Sequence, residues 1–313
     1  MIFAAKWARR PKNSYAAYLE QDRVKRQVRI GLEAAWNDST RFPDTLSLGS
    51  PGLGKSCISN LIAKEMGTSC TEALGNNFKN ISDLQSYLLH ANDGDILFID
   101  ELHEIKKQLI VVLYRSIENK KLFVKSNNRK TPYCIELSDF TLIAATTDSH
   151  KIPKPLADRF KMILNFQFYT HEEIEQILRN RIAKVGWACQ DTLFTQIASM
   201  SRGIPRIGLR ILENTRRVSR ADSSDIITAE HLKRNSCLTG LDSLGLGPEE
   251  RQYLRILADY DGPVRLNVLA MRLGTLSRNV AATVEPYLFR SGFIGKDDRG
   301  RFISPRGLEH IRI

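Results

Sequence analysis

Short unbroken apolar runs alternate with stretches of helical spacing through the first half of the chain. Thr45–Leu48, Ile96–Ile99, Phe140–Ala145 and Met162–Phe168 read as strands. Runs of this length without polar alternation predict strands buried on both faces, and helices between them predict a parallel α/β sheet. Lys121–Val124 and Tyr133–Leu137 flank the turn-prone stretch Ser126-Asn127-Asn128-Arg129-Lys130, which predicts a hairpin. Tyr18 to Trp36 has helical spacing.

From Thr170 the strand pattern stops. Thr170 followed by Glu172 and Glu173 reads as a capped helix start, and helices are predicted at 190–201, 205–219 and 228–236. Gly240 to Pro248 reads as a linker. Beyond it, Pro248–Tyr260 predicts one helix, and Leu266–Leu273 with Ser277–Arg290 has helix-turn-helix spacing. Phe293–Gly295 and Arg301–Ser304 flank Lys296-Asp297-Asp298-Arg299-Gly300 as a wing. Three domains are expected: a parallel-sheet domain over 1–169, a helical domain over 170–239 and a winged-helix domain over 240–313.

The first strand runs into Gly49-Ser50-Pro51-Gly52-Leu53-Gly54-Lys55-Ser56, and a helix opens near Lys55. This strand–GxxxxGK[ST]–helix order is a phosphate-binding P-loop. Glycines let backbone N–H groups turn toward phosphate oxygens, and the helix N-terminus adds partial positive charge. Lys55 is expected to reach the β- and γ-phosphates, with the Ser56 hydroxyl on Mg²⁺. Asp95-Ile96-Leu97-Phe98-Ile99-Asp100-Glu101 ends a buried strand in two carboxylates. Asp100 is expected in the Mg²⁺ shell and Glu101 as the base that orients water. Phe140 to Thr147 reads as a buried strand that ends in two hydroxyls, and Thr147 is expected to report on the γ-phosphate. Asp158-Arg159-Phe160 fits an arginine finger supplied to a neighbouring subunit, and Arg206, opening a helix behind Pro205, is expected to face the phosphates from the lid.

Composition narrows the partners. The 313 residues carry a net charge of +11, which favours an anionic partner with nucleic acid foremost. From Arg265 to the end there are nine Arg or Lys against four Asp or Glu. Five scattered cysteines with no CxxC pair fit a reducing cytoplasm. No apolar run has the roughly 18 residues that span a bilayer, so no membrane partner is expected.

Together these residues resemble the AAA+ ATPases, and more narrowly the RuvB family of bacterial motors that drive Holliday-junction branch migration. The likeness runs from about residue 9 to 306. It is carried by Arg10-Pro11-Lys12, Tyr18 and Gln21, Glu33-Ala34-Ala35, Gly52-Leu53-Gly54-Lys55 and Leu97-Phe98-Ile99-Asp100-Glu101-Leu102-His103. It continues through Phe140-Thr141-Leu142-Ile143, Ala145-Thr146-Thr147, Asp158-Arg159-Phe160 and Pro205-Arg206-Ile207. The C-terminal part adds Gly262-Pro263-Val264, Glu285-Pro286-Tyr287-Leu288 and Arg299-Gly300-Arg301. Ser50, Asp148, Ala157 and Asp297-Asp298 depart from the family's usual residues.

The resemblance implies a hexameric ring on double-stranded DNA or a four-way junction, driven by ATP with Mg²⁺. It implies nucleotide contacts from Arg10, Pro11, Gly52, Leu53, Gly54, Lys55, Ser56, Cys57, Tyr169, Pro205 and Arg206. It also implies DNA-phosphate contacts from Arg299 and Arg301, and a RuvA-like loader docked on the hairpin, whose tip here is polar and basic. Two other readings stay open: an AAA+ switch that assembles on DNA or recruits a protein without translocating, and a DNA-binding regulator whose ATPase controls only its oligomeric state. DNA-stimulated hydrolysis argues against the regulator, and branch migration separates motor from switch.

Overall fold

The computed structural model describes residues 21–124 and 133–312. These fall into two compact units. One runs to Asn180 and takes in Ile204–Arg206; the other holds Arg181–Gly203 and everything from Ile207 onward.

The first unit begins with helix α1 (Asp22–Asn37) and strand β1 (Thr45–Leu48). Helix α2 (Lys55–Met66), β2 (Cys70–Leu74), α3 (Ile81–Leu89), β3 (Ile96–Asp100) and α4 (Lys107–Asn119) follow. After the hairpin strands β4 (Lys121–Val124) and β5 (Tyr133–Glu136) come β6 (Thr141–Thr146), α5 (Lys154–Ala157), β7 (Met162–Asn165) and α6 (His171–Val185), which runs on into the second unit. Five strands form a parallel sheet in the order β2-β3-β6-β1-β7. All six residues of β6 are buried, as are Ile96–Ile99 of β3. Leu46, Leu97, Ile99, Leu113, Leu142 and Ala144 share one core with α3 and α4. Each buried Leu or Ile there contributes about 1.5–3 kcal/mol relative to exposure.

The four expected strands form, and the expected hairpin pairs Lys121 with Glu136 through Val124 with Tyr133. The stretch 126–130 lies outside the described residues. β2 was not foreseen: it is an edge strand in which none of the five residues is buried, so its sequence carries no apolar run. The start of α1 is fixed by Gln21, whose buried side chain pairs with the backbone of Gln167 like a short strand. Its Nε2 donates to the Gln167 carbonyl at 2.5 Å and its Oε1 accepts from the Gln167 amide at 3.1 Å.

The second unit carries β8 (Ala188–Cys189), α7 (Thr192–Met200), most of α8 (Pro205–Ala221), β9 (Ile226–Ile227) and α9 (Ala229–Thr239). The β8–β9 pair corrects the expectation that strands end at Thr170. Next come α10 (Pro248–Ala258), α11 (Leu266–Leu273), α12 (Ser277–Asn279), α13 (Glu285–Arg290), the hairpin β10 (Ile294–Lys296) and β11 (Arg301–Ile303), and α14 (Pro305–Arg312). The stretch 240–248 is no free linker: Asp242 accepts from the amides of Leu244 and Leu246, and Leu246 is fully buried in the winged-helix core. The single helix expected from Ser277 to Arg290 is interrupted by a π-turn at Val280–Val284. Pro286 follows after Glu285; it lacks an N–H and its ring would crowd the preceding turn, which a widened turn relieves.

Candidate active site

Parallel pairing lines up the C-terminal ends of β1, β6 and β3, the edge where open α/β sheets bind ligands. Leu48 stands opposite Thr146, and Ile99 opposite Ala144, so the P-loop, Thr147 and the Asp100–Glu101 pair emerge side by side. The strand that ends in Thr146 lies directly beside the strand that ends in Asp100.

The P-loop backbone requires its glycines. Gly52 and Gly54 have φ of 80° and 98°, a region side chains rarely adopt. A Cβ at Gly52 would also come within 2.9 Å of Ile204 and 3.0 Å of Arg206. The first turn of α2 has neither a side-chain cap nor an acidic residue, so its N–H groups face no competing anion.

Lys55 is buried, and its Nζ donates to the carbonyls of Gly49 at 2.7 Å and Ser50 at 2.9 Å. Burial pushes its ammonium below the ordinary lysine value. Glu101 and Asp100 oppose that shift, and Arg206 adds to it. The Ser56 hydroxyl donates to Asp100 Oδ2 at 3.1 Å, while Asp100 Oδ1 accepts from the Glu101 amide at 3.0 Å. Glu101 Oε2 accepts from the Thr147 amide at 3.2 Å and the Thr147 hydroxyl at 2.9 Å. The Arg206 amide faces the Gly52 carbonyl at 3.4 Å, which brings the first turn of α8 to the P-loop.

The remaining expected nucleotide contacts fall out unevenly. Leu53 is buried, and its carbonyl accepts from the Tyr169 hydroxyl at 3.0 Å, so Tyr169 braces the loop from a buried position. Cys57 is exposed on the first turn of α2, and Pro205 opens α8 beside Arg206. Arg10 and Pro11 lie outside the described residues. Arg159 bonds Glu118 of α4 at 3.1 Å and lies over the Tyr114 ring. The structure thus gathers Lys55, Ser56, Asp100, Glu101, Thr147 and Arg206, and holds Arg159 on α4.

This cluster suits a nucleotide with a hard divalent cation. Ser56 and Asp100 offer two oxygen ligands already in contact, and a Cβ would fill the cradle at Gly52. The sequence reading gave no role to His103, whose Nδ1 is 3.2 Å from Glu101 Oε2, or to Glu118. His103 follows Glu101 by two residues and closes the Leu97–His103 stretch that carried the resemblance, which was the signal available.

In the second unit, the two arginines assigned to DNA behave differently. Arg299 is 82% exposed at the tip of the β10–β11 wing. Asp297 closes that turn: its Oδ1 accepts from the amides of Arg299 and Gly300, both at 2.8 Å, and its Oδ2 lies 3.9 Å from Arg299 Nε. Arg301 departs from the expectation of a solvent-facing contact. Its guanidinium grips Glu285 at 2.8 and 3.2 Å, and the Tyr253 hydroxyl donates to the same carboxylate at 2.7 Å. The pair is 15% and 5% exposed, and the hydrogen bonds to Glu285 hold Arg301 firmly charged.

Comparison with known proteins decides the family. Residues 9–166 match the Holliday junction DNA helicase RuvB P-loop domain, and residues 243–312 match the RuvB C-terminal winged helix domain. The chain belongs to the RuvB family. The Holliday junction branch migration complex subunit RuvB of Kosmotoga olearia is 34% identical over 300 residues, covering 95% of this chain and 88% of that protein. The RuvB subunit of Thermotoga maritima is 31% identical over 308 residues, covering 97% and 92%. The solved Thermotoga maritima RuvB Holliday junction branch migration motor superposes with a TM-score of 0.81 at 30% identity, over 98% of each chain. As a RuvB-family chain it is a nucleotide-binding P-loop ATPase of the AAA+ class. Among the described residues no helix is long and apolar enough to cross a membrane.

Proposed function

We propose that this chain is an ATP-driven translocase on double-stranded DNA that promotes Holliday-junction branch migration in recombination and repair. One observation carries the reading: a RuvB P-loop domain with its acids, sensor and lid arginine gathered at one sheet edge shares the chain with a RuvB winged helix. The domain limits that fit this work are 1–169, 170–239 and 240–313.

In the reaction, Lys55 exchanges its two carbonyl partners for phosphate oxygens, and Arg206 faces the same phosphates from α8. Ser56 and Asp100 would hold Mg²⁺, which when bound neutralises charge on the β- and γ-phosphates. Glu101 orients a water and takes its proton, while Thr147 senses the γ-phosphate. Arg159, carried on the α4 side, is offered to the nucleotide of the next subunit in a hexameric ring and stabilises transition-state charge there. Turnover around the ring moves duplex DNA past the winged helix. Arg299 contacts backbone phosphate, and Arg301 holds the wing in place instead of touching DNA. Such contacts position the protein without reading sequence. A RuvA-like partner docks on β4–β5, whose arms expose Phe123, Tyr133 and Ile135 even though the tip sequence is polar. The work is done in the cytoplasm.

The test is conversion of a labelled four-way junction to duplex products by the full chain with ATP, Mg²⁺ and a RuvA protein. Product formation that is absent with Lys55→Ala supports the motor. Hydrolysis on DNA with no junction conversion overturns it in favour of a switch.

A further inference from the structure

The carboxylate of Glu101 is gripped at a single oxygen. Oε2 accepts both the amide and the hydroxyl of Thr147, and His103 Nδ1 lies 3.2 Å away. The same ring nitrogen is 3.0 Å from Thr146 Oγ1. Thr146 donates its own proton to the Asp148 carbonyl at 3.2 Å and accepts from the Asp148 amide at 3.1 Å. Thr146 Oγ1 is thus engaged on both sides by Asp148, and a proton on Nδ1 would face it and the Glu101 carboxylate together. The ring is well packed, with its side chain 14% exposed.

The backbone of Glu101 is set as firmly. Its φ of 50° is left-handed, and Gly75 stands behind it, where a Cβ would come within 2.4 Å of the Glu101 carbonyl oxygen. Main-chain geometry thus aims the side chain, two Thr147 donors hold its oxygen, and the His103 ring lies against it at 3.2 Å.

These neighbours are not equivalent. The Thr147 hydroxyl has a second use, because it is the group that meets a γ-phosphate. The His103 ring does not: among the described residues its Nδ1 rests against Thr146 and Glu101 alone. We propose that His103 is a positioning residue for the hydrolytic base, keeping the Glu101 carboxylate aimed when the Thr147 hydroxyl turns to bound nucleotide. This inference rests on Glu101 being the base and Thr147 the sensor.

The test is steady-state ATP hydrolysis by the full chain on duplex DNA, with ADP binding and thermal unfolding measured alongside. His103→Ala lowers kcat about tenfold and leaves KM and ADP affinity within about twofold, because aim is lost and binding is not. His103→Asn, whose amide nitrogen takes the place of Nδ1, recovers most of the loss. An unchanged kcat in His103→Ala, or a His103→Asn variant no better than alanine at equal stability, overturns the proposal. Glu101→Gln is run in parallel. If it binds ATP without turnover while His103→Ala is normal, only the positioning role fails; if it turns over normally, the base assignment itself is wrong.

Discussion

Lys55 at the P-loop and Arg301 in the winged helix are both cations drawn out of bulk water, yet they are satisfied in opposite ways. Lys55 is capped by two neutral carbonyls of its own loop, with burial working against its charge. Arg301 is bound at two points by Glu285, and Tyr253 completes the carboxylate's shell. A cation held by neutral partners gains by meeting an anion, so Lys55 is poised for phosphate. A cation already paired in a buried site would have to give up its carboxylate first, and that arrangement holds structure. Arg299, 82% exposed and only loosely paired with Asp297 at 3.9 Å, shows a third state: a surface cation that can turn to a polyanion with little stability at stake.

The sharpest way to break this contrast is Lys55→Ala. It removes the poised charge and should abolish detectable ATP and ADP binding in a fluorescence titration. Retained affinity within threefold of wild type would mean that backbone amides alone hold the phosphates. Arg159→Ala should lower hydrolysis by about 10³-fold in the assembled state while leaving nucleotide binding intact. Wild-type turnover in assembled protein would show that the Glu118-paired guanidinium never leaves its partner.

Effects in the winged helix should fall on stability first. Glu285→Ala leaves Arg301 charged without its carboxylate and should destabilise that domain by about 3–5 kcal/mol in denaturant unfolding. A loss under about 1 kcal/mol would show that Arg301 turns readily to solvent, and would return it to the list of DNA contacts. Arg299→Ala is the mildest change. It should leave unfolding unchanged, weaken duplex binding, and flatten the dependence of log affinity on log salt by about one unit. An unaltered salt slope would remove Arg299 from the interface.

What the sequence made legible follows the same division. The P-loop, the Asp100–Glu101 strand end and the Thr146-Thr147 strand end could be read because each is local: an apolar run, then the reacting groups. Their convergence also followed, since parallel strands share one ligand-binding edge. β2 could not be read because an edge strand of exposed residues has no apolar signature. Neither could the pairing of Arg301 with Glu285, which lies sixteen positions away across a turn, nor that of Arg159 with Glu118. An arginine in a basic wing looks the same in sequence whether it faces water or a buried carboxylate. The grip of His103 and Thr147 on Glu101 joins two strand ends more than forty residues apart, and only the sheet order brings them together.

The central claim is that the P-loop cluster and the wing serve one DNA-dependent ATPase. Steady-state ATP hydrolysis at low salt, with and without a four-way DNA junction, tests it most directly. Strong stimulation by the junction, lost in Lys55→Ala, is the predicted result. Turnover indifferent to DNA at every concentration would contradict the claim.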